Sequence, residues 1–503
     1  MNKTGIILIL AIILTATFVT ASEDVSEITS AQEIQTKISI SSEINFTEKG
    51  GGMQVFEAIA ELHNYPREYP NQKIDSITTT PSAEDKKDYM RFRWRNPQER
   101  TLAYQLTSTV TTQNNPIRIR QKIQYPLQDD LTRGYGIFIK PTKNIDSTNP
   151  EVQRKAKEIL QGEDDLYKAV SKTASWVNTN IEYKLTDLTL NTTQTASWTL
   201  QNKQGACDEI ITLFIALLRA SGIPARFISG IAYGNAPDKR EEWGQHGWAE
   251  VYYPEIGWIP YDVTFGEYGW IDPSHIKLKE TLDPRDQPTK YQWRGVNAGI
   301  ETKPLTIKTE LLSIKSAKEQ EIEIKTFAAK QKTGSDSYNL VIAEITNLKD
   351  YYITRDIKLA NVNEIEILGE KKKTITLIPN EKQKAYWIIR TKQIRDDYEY
   401  AIPIEAYTIL DEKGQTEFKT RKEYPVYEYT EIMQIKEEVE KGKTIEQINE
   451  EDTQEQASTE EKLTAKEITN ADEKETLQEK IEPELQEEQN IIQKIIKWIR
   501  RLF

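Results

Sequence analysis

The chain has 503 residues, with 66 Lys and Arg against 79 Asp and Glu and a formal net charge of -13. That length exceeds what one hydrophobic core normally serves, so several domains are expected. The acidic balance argues against a nucleic-acid partner, which needs a concentrated basic surface.

Residues 1–21 carry an export pattern: Lys3, the apolar run Ile6 to Ile13, and the small residues Val19-Thr20-Ala21 before Ser22. A cleaved signal peptide is expected, with a retained anchor as the alternative; either puts the remainder outside the cytoplasm, extracellular or at the cell surface. Residues 22–148 hold a polar leader and then alternating pieces such as Tyr104 to Val110. Gly50 to Gly52, Pro66, Pro70, Pro81, Pro116 and Pro126 interrupt them, the pattern of an N-terminal β-sandwich-like domain.

From Asn149-Pro150, apolar residues recur at helical spacing: Val152, Ala156 and Ile159-Leu160, then Leu166, Ala169-Val170, Ala174 and Val177. Two helices therefore open a unit assigned to residues 149–295. Residues 300–430 return to alternation, as in Leu305 to Leu311 and Lys373 to Ile378, and are expected to form a C-terminal β-sandwich-like domain. Residues 431–488 are rich in Glu, Gln, Lys and Thr without a continuous apolar face, and read as a charged linker, helical or disordered. In residues 489–503, Ile491, Ile492, Ile495, Ile496, Ile499 and Leu502 share one helical side, opposite Lys494, Lys497, Arg500 and Arg501. Such a basic amphipathic helix suits an anionic membrane surface; docking onto a protein is the alternative.

The chain's one cysteine, Cys207, cannot form an intramolecular disulfide, and a free thiol in an exported protein needs an explanation. It opens an almost wholly apolar helix, Ile210 to Ala220, stopped by Gly222-Ile223-Pro224. The positive end of a helix dipole is expected to lower a thiol's pKa there. A nucleophilic cysteine needs a base, and only His63, His246 and His275 exist. His246 begins a strand that turns at Pro254 to Gly257 into Trp258 to Thr264, so a hairpin centred on Pro254 brings Asp262 across from it. A carboxylate there can fix the imidazole tautomer.

Gly205-Ala206-Cys207, Gly222-Ile223-Pro224-Ala225-Arg226, His246-Gly247-Trp248-Ala249-Glu250-Val251 and Gly257 to Thr264 resemble the transglutaminase-like superfamily in order and spacing. The resemblance implies an α+β, papain-like core, with Cys207 as nucleophile, His246 as general base and acid, and Asp262 as the orienting acid. Glycine at position 247 departs from many members. Gln201, six residues upstream of the cysteine, is the candidate side-chain oxyanion donor, with Gln204 and Trp198 as alternatives. The implied activity is acyl transfer from amide bonds of proteins or peptides through a thioester, with hydrolysis favoured over transfer to an amine. No cofactor or metal is expected. The alternative is a non-catalytic surface protein using the papain-like core for peptide binding or adhesion. Trp243, Trp248, Trp258 and Trp270 are expected mainly in cores.

Overall fold

The computed structural model describes residues 25–128, 130–186, 188–189, 192–234, 242–316, 319–393, 398–450, 492–494 and 496–497. The expected signal peptide, most of the linker and most of the terminal amphipathic helix lie outside the described residues. Among the described residues, no helix is long and apolar enough to cross a membrane.

After a short helix, α1 (Val25–Thr29), come β1 (Glu33–Glu48), β2 (Gln54–Leu62), β3 (Gln72–Thr80), β4 (Glu84–Asp85), β5 (Met90–Arg95) and β6 (Thr101–Gln113). Alternation along β1 and β6 buries every second side chain, and the two pair antiparallel from Glu33–Gln113 to Asn45–Thr101.

The middle of the chain forms α2 (Pro150–Ile159), α3 (Leu166–Asn180), β7 (Glu182–Tyr183), α4 (Ala196–Asn202), β8 (Gln204–Gly205) and α5 (Cys207–Ala220). Asn149 caps α2 by accepting the Glu151 N–H at 2.9 Å, with Pro150 at the first position, where its missing N–H is harmless. Asp165 caps α3 in the same way through Tyr167 N–H. β9 (Ala225–Gly234), β10 (Glu242–Tyr253), β11 (Gly257–Asp262), β12 (Glu267–Tyr268) and β13 (Ile276–Thr281) then make an antiparallel sheet ordered β12-β11-β10-β9-β13. α5 is the central helix. Its Ile210 to Leu218 share one core with α2, α3 and the sheet residues Phe227, Ala249, Val251, Ile259 and Tyr261.

The chain next returns to its beginning. β14 (Thr289–Val296) pairs with β2, while β15 (Ala298–Thr302) and β16 (Thr306–Lys315) pair with successive stretches of β1. The result is two sheets, β15-β1-β6-β3 with β16 also on β1, and β14-β2-β5-β4, around one core that also takes in Ile231, Ile276 and Leu278 of the middle sheet. This corrects the expected boundaries at 295 and 300: residues 289–315 complete the N-terminal unit. The physical reason is the long β1, whose open edge needs hydrogen-bond partners that only the later segment supplies.

The C-terminal unit contains β17 (Ile322–Ala328), β18 (Lys332–Thr333), β19 (Tyr338–Asn347), β20 (Ile353–Leu359), β21 (Ile365–Leu368), β22 (Lys372–Leu377), β23 (Lys382–Thr391), β24 (Tyr400–Tyr407) and β25 (Lys413–Thr420). Its sheets, β17-β19-β23-β21 and β18-β25-β24-β20-β22, share a second core. A further correction concerns the start of the linker. Residues 429–440 form α6 (Tyr429–Glu440), which buries Ile432, Ile435 and Val439, with Ile448, against Leu340 and Ile342 of β19. The spacing of those residues makes one narrow apolar stripe amid charged neighbours.

The C-terminal unit also braces the middle one. Tyr352 donates to Asp165 at 2.8 Å, and Tyr268, just after the β11–β12 turn, donates to Asp356 at 3.2 Å.

Candidate active site

Cys207 is half-buried at the first turn of α5. Glu209 shapes that turn: its Oε2 accepts the Ala206 N–H and its Oε1 the Gln194 N–H, both at 2.9 Å. A Cβ on Gly205 would lie 2.4 Å from Glu209 Cβ, so glycine before Ala206-Cys207 is a packing requirement of this carboxylate.

His246 lies on β10, opposite Gly230 of β9. Its ring stacks on Phe265, centroids 4.5 Å apart, and its Nε2 lies 2.5 Å from Asp262 Oδ2. Asp262 is fully buried at the end of β11, its Oδ1 accepting the N–H groups of Thr264 and Phe265 at 2.9 and 3.2 Å. The hairpin pairs Tyr253 with Gly257 and Ala249 with Tyr261, so it is centred on Glu255, one residue beyond the expected centre. Asp262 therefore meets His246 diagonally across the strands, a distance an imidazole spans.

An ionised carboxylate only accepts, so a neutral His246 donates from Nε2 and presents an unprotonated Nδ1. The Gly247 N–H, on the residue after His246, faces the Cys207 sulfur. Gly247 is itself constrained, since a Cβ there would sit 2.5 Å from the Phe227 ring and 3.0 Å from Asp208 Oδ1.

The thiol departs from expectation. Burial pushes Cys207 well above its ordinary value, and the Asp208 carboxylate, 3.8 Å from Sγ, adds to this. The helix dipole is outweighed because removing a thiolate from water beside an anion disfavours it more than one helix end favours it. Cys207 thus rests as a thiol. Gln201 stands exposed on α4 and makes no hydrogen bond to these groups among the described residues; α4 ends one residue later, and β8 separates it from the cysteine. Trp248 and Trp270 are buried, and Trp258 stacks under Arg226, so these rings pack.

Sequence reading missed Asp208, Glu209, Glu267, Asp272 and His275. The last is fully buried, with Nε2 3.0 Å from the same Asp262 Oδ2 that meets His246. His246, Asp262 and His275, and likewise Glu267, Asp272 and His275, bring donor atoms within 4.8 Å of one another. Hydrogen bonds among these groups make them one network. Burial raises Asp262, but His246 and His275 outweigh it and hold the carboxyl well below its ordinary range; burial likewise raises Asp272, and His275 overcomes it. Burial lowers His275, but Asp272, Asp262 and Glu267 drive it well above its ordinary value.

The depressed carboxyls stabilise the fold above 3.8, and that contribution is lost as pH falls through their folded values. The raised imidazole stabilises it fully below 6.5, and that contribution is lost as pH rises through its folded value. Urea denaturation across pH is expected to show the combined contribution of Asp262, Asp272 and His275 greatest between those two values. A stability that keeps rising above the upper one would contradict it.

Residues 153–263 match the transglutaminase-like superfamily. The chain is also similar to two curated proteins: protein YebA of Bacillus subtilis, 26% identical over 151 residues, and a protein of Haemophilus influenzae, 33% identical over 104 residues. The matches cover 27% and 17% of this chain, and this chain spans only 20% and 26% of those relatives' length. Among solved structures, a candidate cysteine protease from Cytophaga hutchinsonii aligns with 56% of this chain and 93% of its own, at 21% identity and a TM-score of 0.39.

Proposed function

Starting from the transglutaminase-like core at residues 153–263, we propose that this chain is a cysteine enzyme acting on amide bonds of proteins or peptides. Cys207 is the nucleophile, His246 the base and acid, and Asp262 the group that orients the histidine. The observation that carries this reading is the 2.5 Å contact between Asp262 Oδ2 and His246 Nε2, one residue before Gly247, whose N–H faces the Cys207 sulfur at a helix N-terminus.

As Cys207 Sγ attacks the carbonyl carbon, its proton passes to His246 Nδ1, because the thiol is not ionised beforehand. The carbonyl oxygen becomes an oxyanion, and the Cys207 backbone N–H at the helix start is its natural donor. Collapse breaks the C–N bond, the amine leaves with the proton from His246, and the acyl group remains as a thioester. Water then attacks, giving its proton to His246, and cleavage of the C–S bond releases the acid and restores the thiol. A primary amine in place of water gives a new amide. We carry hydrolysis forward as the main outcome.

The N-terminal export pattern supports action outside the cytoplasm. The flanking sheet pairs serve as β-sandwich-like spacers, and residues 489–503 hold the enzyme at an anionic membrane surface.

Incubating the full chain with labelled casein and a fluorescent primary amine separates the outcomes. Soluble fragments are expected. Amine incorporation without fragments would overturn the hydrolytic preference, and neither signal, with casein held tightly, would establish a binding module instead.

A further inference from the structure

The geometry points to His275 as a positioning residue of this site: a buried imidazolium that grips Asp262 beside His246 and limits how strongly that carboxylate pulls on the His246 ring. Its functional half rests on the roles proposed above for Cys207, His246 and Asp262; its structural half stands without them.

His275 precedes β13, and both of its ring nitrogens face oxygen. Nε2 is 3.0 Å from Asp262 Oδ2, while Nδ1 is 3.2 Å from the Asp272 carbonyl oxygen and 3.3 Å from Asp272 Oδ1. A carbonyl oxygen can only accept, and Asp272 Oδ1 already accepts the Ser274 N–H at 2.6 Å. A neutral imidazole owns a single N–H, so it would press one nitrogen lone pair against oxygen lone pairs in a site whose side chains are 0–3% exposed. The doubly protonated ring satisfies both sides.

Charge points the same way. The groups facing His275 are Asp262 from β11, Glu267 from β12, Asp272 from the intervening loop and His246 from β10, whose ring centroid is 5.7 Å away. Asp262 and Asp272 are both held below their ordinary values with His275 among the causes, while burial, with Asp272 adding to the effect, pushes Glu267 well above its own.

The consequence lies in the shared oxygen. If His246 alone drew on Asp262, a fully enclosed carboxylate would hold the proton on that ring and oppose its delivery to the leaving amine. With His275 on the same Oδ2, Asp262 still orients His246 and fixes its tautomer, but part of its field is already neutralised.

The test uses the full chain labelled with ¹⁵N only in histidine. There are three such residues, and His63→Gln and His246→Ala assign their signals, leaving His275 by difference. His275 is expected to stay doubly protonated across neutral pH. In His275→Gln, the acid limb of the pH profile of kcat/KM for casein cleavage is expected to move to higher pH, because a positive charge has left the network. A folded His275→Gln protein with an unmoved profile would reduce His275 to a structural role. A singly protonated His275 in the unsubstituted chain overturns the inference even where the variant does not fold. Absence of an acyl-enzyme on Cys207 would instead reject the proposed function and leave the imidazolium bonded to Asp262 intact.

Discussion

Asp262→Asn is expected to lower amide cleavage by about 10⁴-fold, the scale seen when an orienting carboxylate in such a triad loses its charge. Asp262 Oδ2 receives two imidazoles and Oδ1 two backbone N–H groups. An amide must therefore turn its NH₂ toward one of these donor pairs. Facing the imidazoles, it forces His246 into the wrong tautomer; facing Thr264 and Phe265, it sets donor against donor in a buried site. Stability should fall by about 3–5 kcal/mol, because His275 loses a charged partner. Urea denaturation and cleavage rates check the two effects. The double variant Asp262→Asn, His275→Gln should recover stability relative to the single one and remain inactive. A loss of less than tenfold in the single variant would contradict the assigned role.

Cys207→Ala should abolish turnover, with a loss on the order of 10⁶-fold, while changing stability by no more than about 1 kcal/mol. The two effects separate because the thiol is half-buried, with a long contact to Asp208 and the Gly247 N–H facing it. The core of α5 is formed by Ile210 to Leu218 and does not depend on the sulfur. Retained cleavage, or a protein that unfolds, would show that Cys207 serves the fold.

The geometry was legible where it is local. A glycine before the cysteine, an apolar helix behind it and a stop at Gly222, which takes a positive φ of 75°, all lie within one continuous segment. The His246–Asp262 pair followed from one hairpin, with its centre displaced by a residue because Glu255 takes the positive-φ turn position. His275 was hidden by topology. It enters the site because β13 crosses to pair with β9 at the far edge from β12, and no periodicity says which edge a strand will choose. The signal available was slight: a histidine in Asp272-Pro273-Ser274-His275, close after Asp262.

The same limit governed the domain boundaries. The pairing of Ile44 with Thr302 joins residues separated by the whole middle unit, and alternation along β14 to β16 reads alike whichever sheet receives it. Asp208 and Glu209 look like ordinary acids in a first helical turn, a place where carboxylates are favoured anyway. Only the structure shows one beside the sulfur and the other bonded to the loop at Gln194.

The central claim, a thioester on Cys207 formed with the help of His246, is tested most directly by acid-quenching the protein with an acyl p-nitrophenyl ester and measuring its intact mass. With one cysteine in the chain, an adduct removed by neutral hydroxylamine reports on Cys207. The predicted result is a single hydroxylamine-labile acyl group that accumulates in the unsubstituted chain and fails to form in His246→Ala. An adduct that resists hydroxylamine, or one that forms equally fast without His246, would contradict the account.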